Sequence, residues 1–324
     1  MKKILLIAVL IGAMLSVSAY VICVAAPLMN KSIKGSGNIV TKTLPAPDFD
    51  AVDASRAVKV VLSAEASDIR IEADDNLIDL VVAETRGKTL EVTLDRKVNN
   101  IQNANITVTV PANGGNIRSL AASSASRITG DVTLRADQFT IDASSAAKIK
   151  ATVEATSCLI ETSSASKVSA EVKTVSCSVD ASSASKIIGE TTLKAGKFSI
   201  EASSAAKIKA AVEAVSCTIE TSSASKVEAS IEAESCSLDA SSASKIILEG
   251  SAGTFRADMS SASKLNAEKF SAVNATIDTS SAASASIDCS GKLTASASSG
   301  SSVRYSGDCR TSLEKSSGGS IRKL

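Results

Sequence analysis

Residues 217–235 read CTIETSSASKVEASIEAES, and the pentad inside them, Ser222-Ser223-Ala224-Ser225-Lys226, is one of nine near-copies along the chain. The others start at Ser123, Ser144, Ser163, Ser182, Ser203, Ser241, Ser260 and Ser280, so successive starts lie 19 to 21 residues apart. A period this short has no room for a helix pair. Each repeat is therefore one coil of a solenoid, stable only when stacked on its neighbours.

Counting from the first Ser of each pentad, apolar residues fall at alternate positions on both sides. Three before it stand Leu120, Ile141, Ile160, Val179, Ile200, Ile219, Leu238 and Ile277, and five after it Ile128, Ile149, Val168, Ile187, Ile208, Val227, Ile246 and Leu265. The positions between carry Asp, Glu, Ser and Lys. A period of two places alternate side chains on one face of a strand. Val, Ile, Thr and Ser dominate, which disfavours a helix. The predicted fold is all-β: a single right-handed parallel β-helix with coils of about 19–21 residues. At about 4.8 Å per coil, nine to eleven coils make a rod roughly 45 to 50 Å long. The pentad marks a tight small-residue corner or a narrow flat face, and the pattern leaves open which of its serines point inward. Residues 140–188 realign with 199–247 after a shift of 59 residues, or three coils, which reads as internal duplication.

Two charged rows flank the pentad. Two residues before it come Asp142, Glu161, Asp180, Glu201, Glu220, Asp239, Asp258 and Asp278, and its fifth position holds Arg127, Lys148, Lys167, Lys186, Lys207, Lys226, Lys245 and Lys264. Stacked like charges oppose one another, which invites a partner or counterions. The competing reading is that exposed charges are screened and serve solubility. The candidate interaction surface is the Ser/Ala strip between these rows, with Asp142, Glu161, Asp180, Glu201, Glu220, Asp239, Lys148, Lys167, Lys186, Lys207, Lys226 and Lys245 as its residues.

The composition excludes more than it specifies. The chain has 324 residues, no His, no Trp and a formal charge of +1. Without His the usual general base and the commonest transition-metal ligand are missing. A catalytic site is a singular constellation, whereas the Ser and Lys of the pentad recur in every coil. No catalytic residue, cofactor or metal is expected, and the balanced charge gives no case for nucleic acid.

The chain is expected to divide into residues 1–26 as signal peptide or anchor, 27–118 as capping strands and first coils, and 119–324 as repetitive coils with an irregular end. Lys2 and Lys3 precede an apolar run from Ile4 to Leu15, and Val17-Ser18-Ala19 fits a cleavage site. The apolar stretch continues to Ala26, long enough for an uncleaved anchor, and Cys23 offers a lipidated N-terminus. All three place the body outside the cytoplasm, in the periplasm, on the outer membrane surface or beyond the cell. Six cysteines lie after this segment. Cys158, Cys177, Cys217 and Cys236 share a position with Phe139, Phe198 and Phe255, which favours small core residues over disulfides, while Cys289 and Cys309 stand outside that row.

Gly35-Ser36-Gly37-Asn38, Phe49-Asp50-Ala51-Val52, the Ser-Ala-Ser coils and the closing Gly-Ser-Ile-Arg-Lys-Leu resemble, in that order, the autotransporter adhesin head, or GIN, domain over residues 35–324. The resemblance implies a β-helical, non-enzymatic exported protein with an adhesive role. No translocator barrel follows the coils, so surface display by the autotransporter route is not expected. The partner would be a surface protein, a glycan or an envelope component. The alternative, a β-helical polysaccharide-processing enzyme, rests on architecture alone, and an ice-binding face would need outward Thr rows that the coils lack.

Overall fold

The computed structural model describes residues 32–98 and 100–324, with the side chains of 190–192 left aside; the predicted export segment lies outside them. The chain forms a parallel β-solenoid, and no α-helix occurs among the described residues. From Lys148 to Ala297 each coil is one long strand followed by a four-residue corner, as in Lys148–Thr162, Lys167–Ala181 and Lys207–Thr221, and the next coil is split into Ser302–Ser306 and Arg310–Lys315. Neighbouring coils pair in parallel and in register, for example Ile149 with Val168, Val153 with Val172 and Ile160 with Val179.

Alternation decides which side chains enter the core. In the strand Lys148–Thr162, Ile149, Ala151 and Val153 are buried on one side of a bend, and Cys158, Ile160 and Thr162 on the other. The change of phase is absorbed by one residue per coil that the inter-coil ladder skips, such as Thr156, Val175, Gly196, Val215 and Glu234. Val175 and Val215 are thereby turned out to solvent. Cys158 and Cys177, like Cys217 and Cys236, are in-register neighbours and buried free thiols. A hydrogen bond to the adjacent sulfur, then burial, pushes the Cys177 and Cys236 thiols up, so they stay protonated and inert.

The pentad is a two-residue turn. Its second and third residues have positive φ in every copy, as at Ser223 (52°) and Ala224 (60°), and the Ser225 N–H donates to the Ser222 carbonyl at 3.1 Å. Both central residues with φ > 0 is the type I′ pattern, whose preferred residues are Asn and Gly. Ser and Ala are strained there, by roughly 1–2 kcal/mol each. Stacking offsets the strain: the Ala224 N–H donates to Ser242 of the next coil, and the Ser222 N–H to Ala202 of the previous one, each at 2.9 Å. In the last turns the third residue is Gly300 or Gly318, again with positive φ. Replacing Ala224 by Gly should therefore raise stability by about 0.5–1 kcal/mol, read as an upward shift of the urea midpoint; a lower midpoint would mean that the turn is not strained.

The fourth residue of the pentad points inward. Ser126, Ser166, Ser185 and Ser263 are buried, and each hydroxyl donates to the carbonyl of the residue just before the pentad one coil back, with distances of 2.7 to 3.1 Å. Ala147, Ala206 and Ala283 fill the same place.

Residues 32–118 depart from this rule. Ala51–Ala54 and Lys59–Ser63 form a coil in register with Ser119–Ala122 and Arg127–Gly130, and their corner is Ser55-Arg56-Ala57-Val58-Lys59, with φ of 60° and 63° at Arg56 and Ala57. It is the same turn without the pentad's sequence, within the stretch expected to hold capping strands and first coils. Beyond it the pairing turns antiparallel: Thr89–Leu94 with Val81–Arg86, and Ile106–Pro111 with Asp68–Asp74, which pairs with Ile39–Pro45. That last strand is mostly exposed and carries Lys42 and Pro45, features that blunt an edge against further pairing.

Candidate functional site: a corner ridge between two charged rows

The exposed Ser-Ala tips stack into a ridge along the solenoid, and in-register pairing makes each flank a charged row. On one flank Asp142, Glu161, Asp180, Glu201, Glu220, Asp239, Asp258 and Asp278 follow one another coil by coil. The row is longer than the sequence showed. Asp53 and Glu91 extend it at one end, with Ala121 as a gap, and Glu314 at the other, with Ser296 as a gap. On the other flank Lys59, Arg127, Lys148, Lys167, Lys186, Lys207, Lys226, Lys245 and Lys264 form a continuous basic row.

A groove of about 780 Å³ runs beside the ridge. Its rims are the carboxylates from Asp142 to Asp239 and the first pentad serines, with Thr162, Ala181, Ala202 and Thr221 along the floor. A second concavity of about 280 Å³ continues past Asp258 and Asp278. Small corner residues open this trough, because the outward rows on either side stand higher than the Thr and Ala between them.

Few of these charges are neutralised within the molecule. Arg256 pairs with Asp258 at 3.0 Å and approaches Asp278 at 3.7 Å. Among the described residues no ion pair reaches the six carboxylates from Asp142 to Asp239, and none joins the acidic row to the basic row. Burial, then repulsion from Glu161, raises the Asp180 carboxyl above its ordinary value, and one Asp180 oxygen is buried without a hydrogen-bond partner. Burial followed by Glu91 and Asp142 does the same at Asp53, and burial followed by Asp258 at Asp278, where Arg256 acts in the opposite direction. No group of three or more His, Cys, Asp or Glu able to hold a metal gathers among the described residues. The arrangement suits an extended charged or hydroxyl-rich ligand read by many weak contacts.

The raised carboxyls set the sign of a pH dependence. A folded-state pKa above the unfolded value means that the folded protein holds the proton more tightly. The resulting destabilisation is fully present above the folded pKa and is relieved as pH falls through it toward the unfolded value of 3.8. Mild acidification should thus relieve the row's own contribution, so Asp180→Asn should raise the melting temperature at neutral pH by an amount that shrinks as the pH falls. A variant no more stable than the parent at neutral pH, or a difference that grows on acidification, would contradict this reading of the row.

Against known proteins, the family described as "Putative auto-transporter adhesin, head GIN domain" matches residues 48–215 and again 199–309. Among solved structures, a putative adhesin from Parabacteroides merdae is similar at 16% identity, covering 91% of this chain and 100% of its own, with a TM-score of 0.37. A putative lipid binding protein from Parabacteroides distasonis aligns at 15% identity over 91% and 100%, with a TM-score of 0.34. A putative adhesin from Bacteroides fragilis aligns at 14% over 90% and 100%, with a TM-score of 0.33. No curated protein matches the sequence.

Proposed function

The chain belongs to the family described as putative auto-transporter adhesin, head GIN domain, and from that premise we propose that it is an exported, non-enzymatic binding module whose ligand face is the corner ridge with its two charged rows. The observation that carries this reading is the run of six carboxylates, Asp142 to Asp239, held in register beside a groove, with no ion pair reaching them among the described residues. Unpaired stacked like charges are a local cost that a partner relieves. The same register that builds the core repeats each contact coil after coil, so a weak contact gains strength through number. The partner class is a surface protein, a glycan or an envelope component, and export places the module outside the cytoplasm.

The test is a binding screen of the full chain on glycan arrays and immobilised matrix proteins at low and high salt. It is repeated with Lys167, Lys186, Lys207 and Lys226 replaced by Ser. The expected result is salt-sensitive binding that this variant loses. Binding unchanged in the variant would remove the ridge from the account.

A further inference from the structure

The two rows are complementary to each other. In eight coils an acid and a base stand six residues apart across one corner: Asp53 and Lys59, Asp142 and Lys148, Glu161 and Lys167, Asp180 and Lys186, Glu201 and Lys207, Glu220 and Lys226, Asp239 and Lys245, Asp258 and Lys264. Both rows advance by one coil per rung, so they share one spacing, about 4.8 Å, by construction. The turn between them keeps the rows of one molecule apart, and no ion pair crosses the ridge among the described residues.

We infer that the ridge is a homotypic docking surface, on which a second copy of this chain lies side by side and pointing the same way, its basic row against the acidic row of the first. This rests on the reading of the ridge as the binding face and names its occupant. Rotation by half a turn about an axis parallel to the solenoid sets ridge against ridge, with each acidic row opposite the other copy's basic row. The interface is isologous, so every contact occurs twice. Turning one copy end for end would instead bring acid onto acid and base onto base, so the charges select the parallel arrangement.

The corner itself favours close approach. Its exposed tips are Ser and Ala in every pentad, from Ser124 and Ala125 to Ser281 and Ala282, so nothing bulky separates the two backbones. Lysine side chains are long enough to reach past such a tip into the groove lined by Glu161, Asp180, Glu201 and Glu220. A single exposed ion pair contributes little. A row of them in fixed register acts as one multivalent contact, strongly weakened by salt.

Sedimentation velocity of the full chain at about 0.02 M and about 0.5 M NaCl, where screening lengths differ several-fold, gives the first reading. The mass should double at low salt and return to that of one chain at high salt. Two charge-reversed variants give the second: one with Glu161→Lys, Asp180→Lys, Glu201→Lys and Glu220→Lys, the other with Lys167→Glu, Lys186→Glu, Lys207→Glu and Lys226→Glu. Each should stay single on its own, and the mixture should recover a heterodimer, which also shows that both variants are folded. A wild-type chain that stays single at low salt overturns the inference, as does a reversed variant that still pairs with itself. If the wild type stays single while the acid-reversed variant loses binding to a glycan or matrix protein, the ridge remains the binding face and only its homotypic occupant is wrong.

Discussion

Replacing Asp74 by Ala should destabilise the first, antiparallel end of the solenoid by about 2–4 kcal/mol, because it removes two backbone hydrogen bonds to a buried carboxylate. Asp74 is fully buried, and its two oxygens accept from the Gly37 N–H at 2.7 Å and the Asn105 N–H at 2.8 Å. Hydrogen bonds to a charged acceptor are roughly twice as strong as neutral ones. Gly35 lies so close that a Cβ there would meet Asp74 and the Asn103 carbonyl at 2.6 Å, which explains a residue without a side chain at this point. Around this centre the Ser36 hydroxyl donates to Asp75 at 2.6 Å, and Asn38 donates to its other oxygen at 2.9 Å. The Gly35-Ser36-Gly37-Asn38 segment is thus a clamp that ties the first strands to the Asp74-Asp75-Asn76 turn. Hydrogen exchange should show early loss of protection at Gly37 and Asn105 in the variant, with the coils from Ser144 onward unaffected. Unchanged protection at those two amides would mean that the clamp holds nothing.

Gly250→Val is the second large effect, and it runs against the repeat. Val153, Val172, Leu193, Val212 and Ile231 occupy this core position in earlier coils, so restoring a Val would look like an improvement. Gly250 has φ of 106°, where a branched side chain is strained, and a Cβ would overlap the Ile231 carbonyl oxygen, which is backbone and has no room to yield. Its neighbour in the next coil is Phe270, whose ring packs on Phe255 at 5.3 Å between centroids, tilted by 59°. The large residue stands beside the missing one. A loss of about 3–5 kcal/mol is expected from strain and overpacking together, measured as a drop in the urea midpoint. A midpoint equal to or above that of the parent would show that the backbone relaxes at this coil.

Much of this was legible in the chain. The 19–21 residue period and the alternate Ile, Val and Cys positions specify a stack of parallel coils, because a core shared between neighbours needs the same apolar residue in the same place each time. The acidic and basic rows follow from that register without further information. What stayed hidden lacks a pattern for a physical reason. Ser55-Arg56-Ala57-Val58 makes the same turn as Ser222-Ser223-Ala224-Ser225, but its backbone geometry is enforced by stacking on Ser123–Ser126 and not by its own residues. The second bend varies from Thr156 to Val175 because that residue leaves the ladder and faces solvent, whereas at Gly196 a Cβ would come within 3.0 Å of the Val175 carbonyl oxygen, a constraint set by the neighbouring coil that no local spacing reveals. Asp53 and Glu91 join the acidic row through pairings across a long excursion of chain, which no local spacing reveals. Asp74 is a single carboxylate answered by backbone N–H groups, and those leave no mark on sequence.

In-register stacking of the charged rows underlies both the binding face and its proposed occupant. Lys148 and Lys245 are five coils apart along one row. Spin labels placed at these two positions through an unnatural side chain, with the native cysteines left untouched, and read by pulsed dipolar spectroscopy, should give one narrow distance near 24 Å, five steps of about 4.8 Å. A distance far from this value, or a broad spread, would contradict the stacked register and with it the rows that define the ridge.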